Sequence, residues 1–262
     1  MSVLVPFTDR ELSRRPLNEV HGHDRRFPTR SGFWSCNLRT LTPLCIHSAF
    51  LKLKPDDPAI IPGSSIRGMV RAVVEILGGA CARLYNGSFD SKLEPCTQAN
   101  TCLACRVFGY TLGDFSWASK LRFADTLRQP APKASERLFL PQDRGGFAPS
   151  PSEPGWILFP HSKTRPVFSS GPTPCVPANQ DFKFLIEYTN LDEEEYALIK
   201  FALTLTHAGI DLCHKIGYAR SAGLGACKIS LPNDKSPAIG PAIEPYLASP
   251  GYQAFAPLRS YR

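Results

Sequence analysis
The sequence predicts an α+β fold in which two helices pack on one face of a four-stranded antiparallel sheet. Three observations carry this expectation. An amphipathic stretch at 61–77 has helical spacing, and Asp192 with Glu195 forms a capping-box pattern that opens a second helix. Four runs rich in β-formers surround these helices in the order strand, helix, strand, strand, helix, strand.

The first strand is expected at 36–46 (CNLRTLTPLCI), where Pro43 requires an edge or a bulge because it has no N–H to give a ladder. The first helix follows in IPGSSIRGMVRAVVEIL. Ser64 and Ser65 are candidate N-caps, Ile66, Met69, Val70, Val73, Val74 and Leu77 fall on one face, and Gly78-Gly79 ends it. KLRFADT at 120–126 alternates as a second strand, and FKFLIEY at 182–188 as a third. The second helix runs from the capping box to about His207, and GLGACKISL at 223–231 supplies the last strand. This order is the ferredoxin-like, or RRM-like, βαββαβ topology.

Around this core, 35–231, residues 1–34 read as an extended N-terminal arm rich in arginine, and 232–262 as a C-terminal tail of Pro, Gly and aromatic residues. Residues 128–180 hold many of the 25 prolines and are too long for a hairpin loop, so a protruding insertion is expected there.

With 262 residues and 43% hydrophobic content the chain can bury a full core, which excludes full-length disorder. Thirty Lys and Arg against 23 Asp and Glu give a net charge of +7, which favours a polyanionic partner. No apolar run approaches the roughly 20 residues of a membrane span, so a soluble, cytoplasmic protein with no membrane partner is expected.

Four of the nine cysteines carry ligand-like spacing: Cys81, Cys96, Cys102 and Cys105 form C-x14-C-x5-C-x2-C. A C-x2-C pair chelates one ion in a tight knuckle and the earlier two complete a tetrahedron, so the expected cofactor is a structural Zn2+ within 81–105. Cys36, Cys45, Cys175, Cys213 and Cys227 read as small core residues. The turn before the first helix, with Ser64 and Ser65 on its donors and Arg67 and Arg71 one turn apart, is a candidate phosphate contact. A second candidate is the basic glycine-rich loop CHKIGYARSAGLG. There Lys215 and Arg220 can neutralise phosphates and Tyr218 can stack on a base.

Three ordered motifs, IPGSSIRGMVRAVVEIL, CLACRVFG followed by LRFADT, and HKIGYARSAGLGACKI, resemble the RAMP superfamily over roughly 36–126 and 182–231. The likeness is to backbone subunits of class 1 CRISPR effector complexes, type III and most like III-D, or the related type VII. It implies an RRM-like core that polymerises as copies of itself along a guide RNA (crRNA). A β-thumb, here 128–180, would press between guide and target RNA, with other CRISPR subunits as partners. It also implies that Ser64, Ser65, Arg67, Arg71, Lys215, Tyr218, Arg220 and Ser221 meet the guide, and that the cysteine knuckle holds the loop after the first helix. Ala219 stands where relatives often have a second glycine.

Target-cleaving relatives keep an acidic residue in a glycine-rich loop before the first helix. The corresponding loop here is short and lacks glycines, and its carboxylates, Asp56 and Asp57, stand beside prolines. A non-catalytic scaffold is therefore the leading expectation. A metal-dependent endoribonuclease using Asp57 or Asp56, and a crRNA-processing endoribonuclease using His47 as general acid or base, are the enzymatic alternatives.

Overall fold
The computed structural model describes residues 3–6, 14–20, 29–46, 53–54, 57–78, 96–127, 130–139, 155–158, 172–207, 209–234 and 240–255. His47, Asp56 and Cys81 lie outside the described residues. In chain order the elements are β1 (Val3–Pro6), β2 (Arg30–Thr40), α1 (Gly63–Gly78), α2 (Leu103–Phe108), β3 (Tyr110–Leu112), β4 (Phe115–Trp117) and β5 (Leu121–Phe123). They continue with β6 (Glu136–Phe139), β7 (Gly155–Leu158), β8 (Pro172–Cys175), β9 (Asp181–Leu191), α3 (Glu193–Thr204), β10 (Thr206–His207) and β11 (Ile210–Asp211). β12 (His214–Lys215), β13 (Ala226–Ser230), α4 (Glu244–Leu247) and α5 (Pro250–Ala254) are the last helices and strands among the described residues.

The fold is mixed α/β around an antiparallel sheet of order β12-β13-β2-β9-β5. Alternation decides which face is covered. Trp34, Cys36 and Leu38 of β2 and Phe182, Phe184 and Ile186 of β9 point into the core, where they join Ile66, Val70, Val73, Val74 and Leu77 of α1. Leu198, Phe201 and Ala202 of α3 enter the same cluster. Each of the Val, Leu, Ile and Phe side chains among these contributes about 1.5–3 kcal/mol on burial. On the other face Phe33 stays 69% exposed, beside the exposed Arg39, Lys183, Leu185 and Glu187.

The periodic elements form where the pattern places them, and α3 opens with the expected box. Asp192 accepts from the Glu195 N–H at 2.7 Å, and the Glu195 carboxylate accepts from the Asp192 N–H at 3.1 Å. Two expectations change. The sheet has five strands rather than the four expected, because β12 pairs along the outer edge of β13. The first strand starts at Arg30 and ends at Thr40, so it takes in residues read as arm and releases 41–46. The ladder holds β2 against β9 back to Arg30, and past Thr40 the chain turns away to pair Leu44 with Val176. In the N-terminal segment, expected as an extended arm, β1 pairs antiparallel with β7, which lies within residues 128–180. Within the insertion β6 pairs with β8. Among the described residues no helix is long and apolar enough to cross a membrane.

Candidate nucleic-acid interface and metal centre
The cysteine cluster is built where a loop enters α2. Cys96, Cys102 and Cys105 are fully buried, and their sulfurs lie within 4.8 Å of one another. The Cys102 N–H donates to Cys96 Sγ at 3.1 Å. Tetrahedral zinc at about 2.3 Å from each sulfur sets neighbouring sulfurs about 3.8 Å apart. The convergent, soft, buried donor set fits such an ion. Cys81, the fourth ligand expected from spacing, is outside the described residues. The other cysteines are core thiols: Cys36, Cys45, Cys175, Cys213 and Cys227 are all buried, and burial pushes the Cys36 thiol up to about 12.

A buried ionic network fixes α2 to α3, and nothing in the sequence pattern announced it. Glu195 accepts from Arg106 Nε at 3.2 Å and from Lys120 Nζ at 2.7 Å, with all three side chains fully buried. Lys120 also donates to the Asn190 carbonyl at 3.2 Å. Glu194 accepts from Arg106 and from Arg15, each at 2.7 Å, and from the Tyr246 hydroxyl. Charges this deep persist only when paired on several sides, so the network orients α2, and with it the cysteines, relative to the sheet.

The start of α1 differs from the expected arrangement. Neither Ser64 nor Ser65 is the N-cap, because the helix already includes Gly63 and both serines lie in its first turn. The Gly63 N–H is held at 2.8 Å by the Asp125 carboxylate, delivered from the segment after β5. Ser64 remains exposed. The Arg67 guanidinium donates to the Phe108 carbonyl and lies 5.8 Å from the centre of the Phe108 ring. Burial and the neighbouring Arg71 charge both lower its pKa. Arg71 pairs with Glu75 at 2.7 Å.

In the glycine-rich loop, Lys215 Nζ donates to the Arg220 carbonyl at 3.1 Å. Burial and the Arg220 charge lower the lysine to about 8, and burial likewise lowers Arg220. Two glycines here serve the chain itself. At Gly217, φ +90°, an added Cβ would lie 2.3 Å from the Cys45 carbonyl oxygen, and at Gly225, φ +73°, 1.8 Å from that of Ile216. Ala219 adopts the left-handed region at φ 54°, so this departure from glycine keeps the backbone shape that glycine would take. Tyr218 packs beside Cys45, Cys175 and Leu224, its N–H on the Cys45 carbonyl at 2.8 Å, and Ser221 is exposed.

The two basic segments share one end of the sheet. The glycine-rich loop returns into β13 beside the C-terminal end of β2, and Gly225 N–H meets the Pro43 carbonyl at 3.0 Å. The start of α1 sits against the segment that follows β5, where Ile61 N–H meets Thr126 Oγ1 at 2.9 Å and Leu127 N–H meets the Lys183 carbonyl at 2.8 Å. The base of the insertion reaches the same end through the Pro58–Lys133 and Leu44–Val176 bridges. Asp57 is engaged locally, its carboxylate accepting from the Lys54 N–H at 2.7 Å to close a turn.

A family profile described as the RAMP superfamily matches residues 37–228. Among solved structures, the chain is similar to one of a Type IV-B CRISPR complex, at 18% identity over 80% of this chain and 94% of that one, TM-score 0.46. It is similar to Csc2 of Thermofilum pendens at 12% identity, over 82% of this chain and 70% of that one, TM-score 0.43. No curated protein matches the chain.

Proposed function
This chain belongs to the RAMP superfamily, and from that premise we propose that it is a crRNA-binding backbone subunit of a CRISPR effector complex. In this reading it has a ferredoxin-like core, polymerises along the guide with copies of itself and other CRISPR subunits, and presents the guide for pairing with target RNA in the cytoplasm. The observation that carries the reading is that the two segments bearing Arg67 with Arg71 and Lys215 with Arg220 are anchored at the same end of the sheet, one toward the β5 edge and one toward the β12 edge, in a chain of this family. The strand order β13-β2-β9-β5 supports the ferredoxin-like description. Ser64 and Ser221, both exposed, add hydroxyl donors, and Ser65 and Tyr218 complete the proposed contact. Zinc on Cys96, Cys102 and Cys105, with Cys81 as the fourth ligand, supplies structure and no chemistry, because four protein ligands leave no position open for water. In this reading the chain is a scaffold rather than an endoribonuclease.

The test is retention of crRNA by complex carrying Arg67→Ala, Arg71→Ala, Lys215→Ala and Arg220→Ala together, with thermal melting as the control for folding. Wild-type affinity should fall with salt at a log–log slope of roughly −0.7 per phosphate contact, and the variant should lose both affinity and slope. A folded variant that keeps its crRNA with an unchanged slope overturns the proposal.

A further inference from the structure
The N-terminal segment at 14–20 crosses directly over the cysteine loop. Arg15 N–H donates to the Thr101 carbonyl at 3.0 Å, Thr101 N–H returns to the Arg15 carbonyl at 2.9 Å, and Leu17 N–H donates to the Gln98 carbonyl at 2.7 Å. Gln98 and Thr101 belong to the loop whose two ends are Cys96 and Cys102. That loop is also held by turn bonds between Thr97 and Asn100, at 3.2 and 3.3 Å, by Thr101 Oγ1 on the Thr97 carbonyl at 2.6 Å, and by Cys102 N–H on Cys96 Sγ at 3.1 Å. Leu17 is buried in the main core cluster. The Arg15 guanidinium reaches Asp192 at 3.5 Å and Glu194 at 2.7 Å, so the same short segment grips both the cysteine loop and the start of α3.

We propose that metal loading of Cys96, Cys102 and Cys105 closes this segment as a strap, so that metal binding and strap docking are thermodynamically coupled. The inference rests on the metal reading above. The physical basis is that the strap pairs with backbone groups whose positions depend on both anchored ends of the loop. A metal ion ties those ends and Cys105 to one centre. Without it, the loop ends are joined through hydrogen bonds such as Cys102 N–H on Cys96 Sγ, weaker than metal–sulfur bonds, and the loop carbonyls that receive Arg15 and Leu17 are less firmly spaced. Coupling of this kind is reciprocal: whatever the metal contributes to strap docking, the docked strap contributes to metal retention. The Arg15 contacts to Asp192 and Glu194 extend the coupling to the buried network, because Glu194 also holds Arg106 of α2.

The experiment is amide hydrogen exchange on the full chain, loaded with zinc and after chelation, with elemental analysis of the same samples. The Arg15 and Leu17 amides should exchange about tenfold faster once zinc is removed, while β2 and β9 amides keep their protection. In the reverse direction, an Arg15→Ala, Leu17→Ala variant should surrender zinc to a chromogenic chelator about tenfold faster than wild type. If zinc binds stoichiometrically and neither rate moves, the coupling is overturned and the metal reading stands. If the protein takes up no zinc under thiol-reducing conditions, both fall. Should chelation unfold the sheet as well, the zinc-release rate of the strap variant decides alone, and an unchanged rate overturns the coupling.

Discussion

Replacing Glu195 by Gln isolates the worth of a single buried charge. Glutamine keeps an oxygen to accept the Asp192 N–H that the carboxylate holds at 3.1 Å, so the helix cap survives. What disappears is the negative charge between Arg106 at 3.2 Å and Lys120 at 2.7 Å, all three groups fully buried. Arg106 retains Glu194 at 2.7 Å but meets an amide N–H2 where Oε1 accepted its Nε, whereas Lys120 keeps the amide oxygen and the Asn190 carbonyl at 3.2 Å and loses its counter-charge on residue 195. Breaking a buried pair on one side costs about 3–5 kcal/mol, because the remaining ion stays desolvated. That is a large share of the about 5–15 kcal/mol by which domains are stable. The double variant Glu195→Gln, Lys120→Met removes the stranded cation and should regain about 0.5–3 kcal/mol of the loss as coupling energy. Urea unfolding followed by tryptophan fluorescence measures both. A single-variant loss below about 1 kcal/mol, or a double variant no more stable than the single, would refute the assignment of this network as the bolt between α2 and α3.

Three further outcomes are expected. Gly225→Ala should disorder the turn into β13 and lower both melting temperature and crRNA binding, since its Cβ would sit 1.8 Å from the Ile216 carbonyl oxygen at a φ of +73°; a variant with wild-type melting and binding would contradict this. Lys215, lowered by burial and Arg220 to about 8, should lose its charge as pH rises through that value, so anisotropy titrations of RNA should weaken there and Lys215→Arg should flatten the dependence. The sign for folding is the opposite. Between about 8 and the ordinary 10.5 the unfolded chain holds a proton that the folded chain has released, so stability should rise with pH across that window.

The legible parts of the sequence are those with short-range period or spacing. The face Ile66, Val70, Val73, Val74 and Leu77 declares α1, Asp192 and Glu195 declare the start of α3, and the last three cysteines of the spaced set do converge. The strand boundaries were less legible. Alternation at Trp34, Cys36 and Leu38 extends the first strand back toward Arg30, but the polar, arginine-rich context of 1–34 masked it. The start of α1 departs from the local pattern for a different reason. Ser64 and Ser65 are good local caps, and a long-range carboxylate from Asp125 outcompetes them once β5 lies beside the helix start.

By itself the sequence determined the class of the fold, the two principal helices, the basic character of two separate loops and the clustering of soft metal ligands. All of these are written in periodicity and spacing along a few turns of chain. Tertiary structure alone decided that Arg106 and Lys120 are buried on Glu195, that Arg15 and Leu17 lie across the cysteine loop, and that Gly217 and Gly225 yield to carbonyls of the chain's own backbone. Such pairings join residues far apart in sequence. Their energies exist only after the core has brought the elements within hydrogen-bond reach.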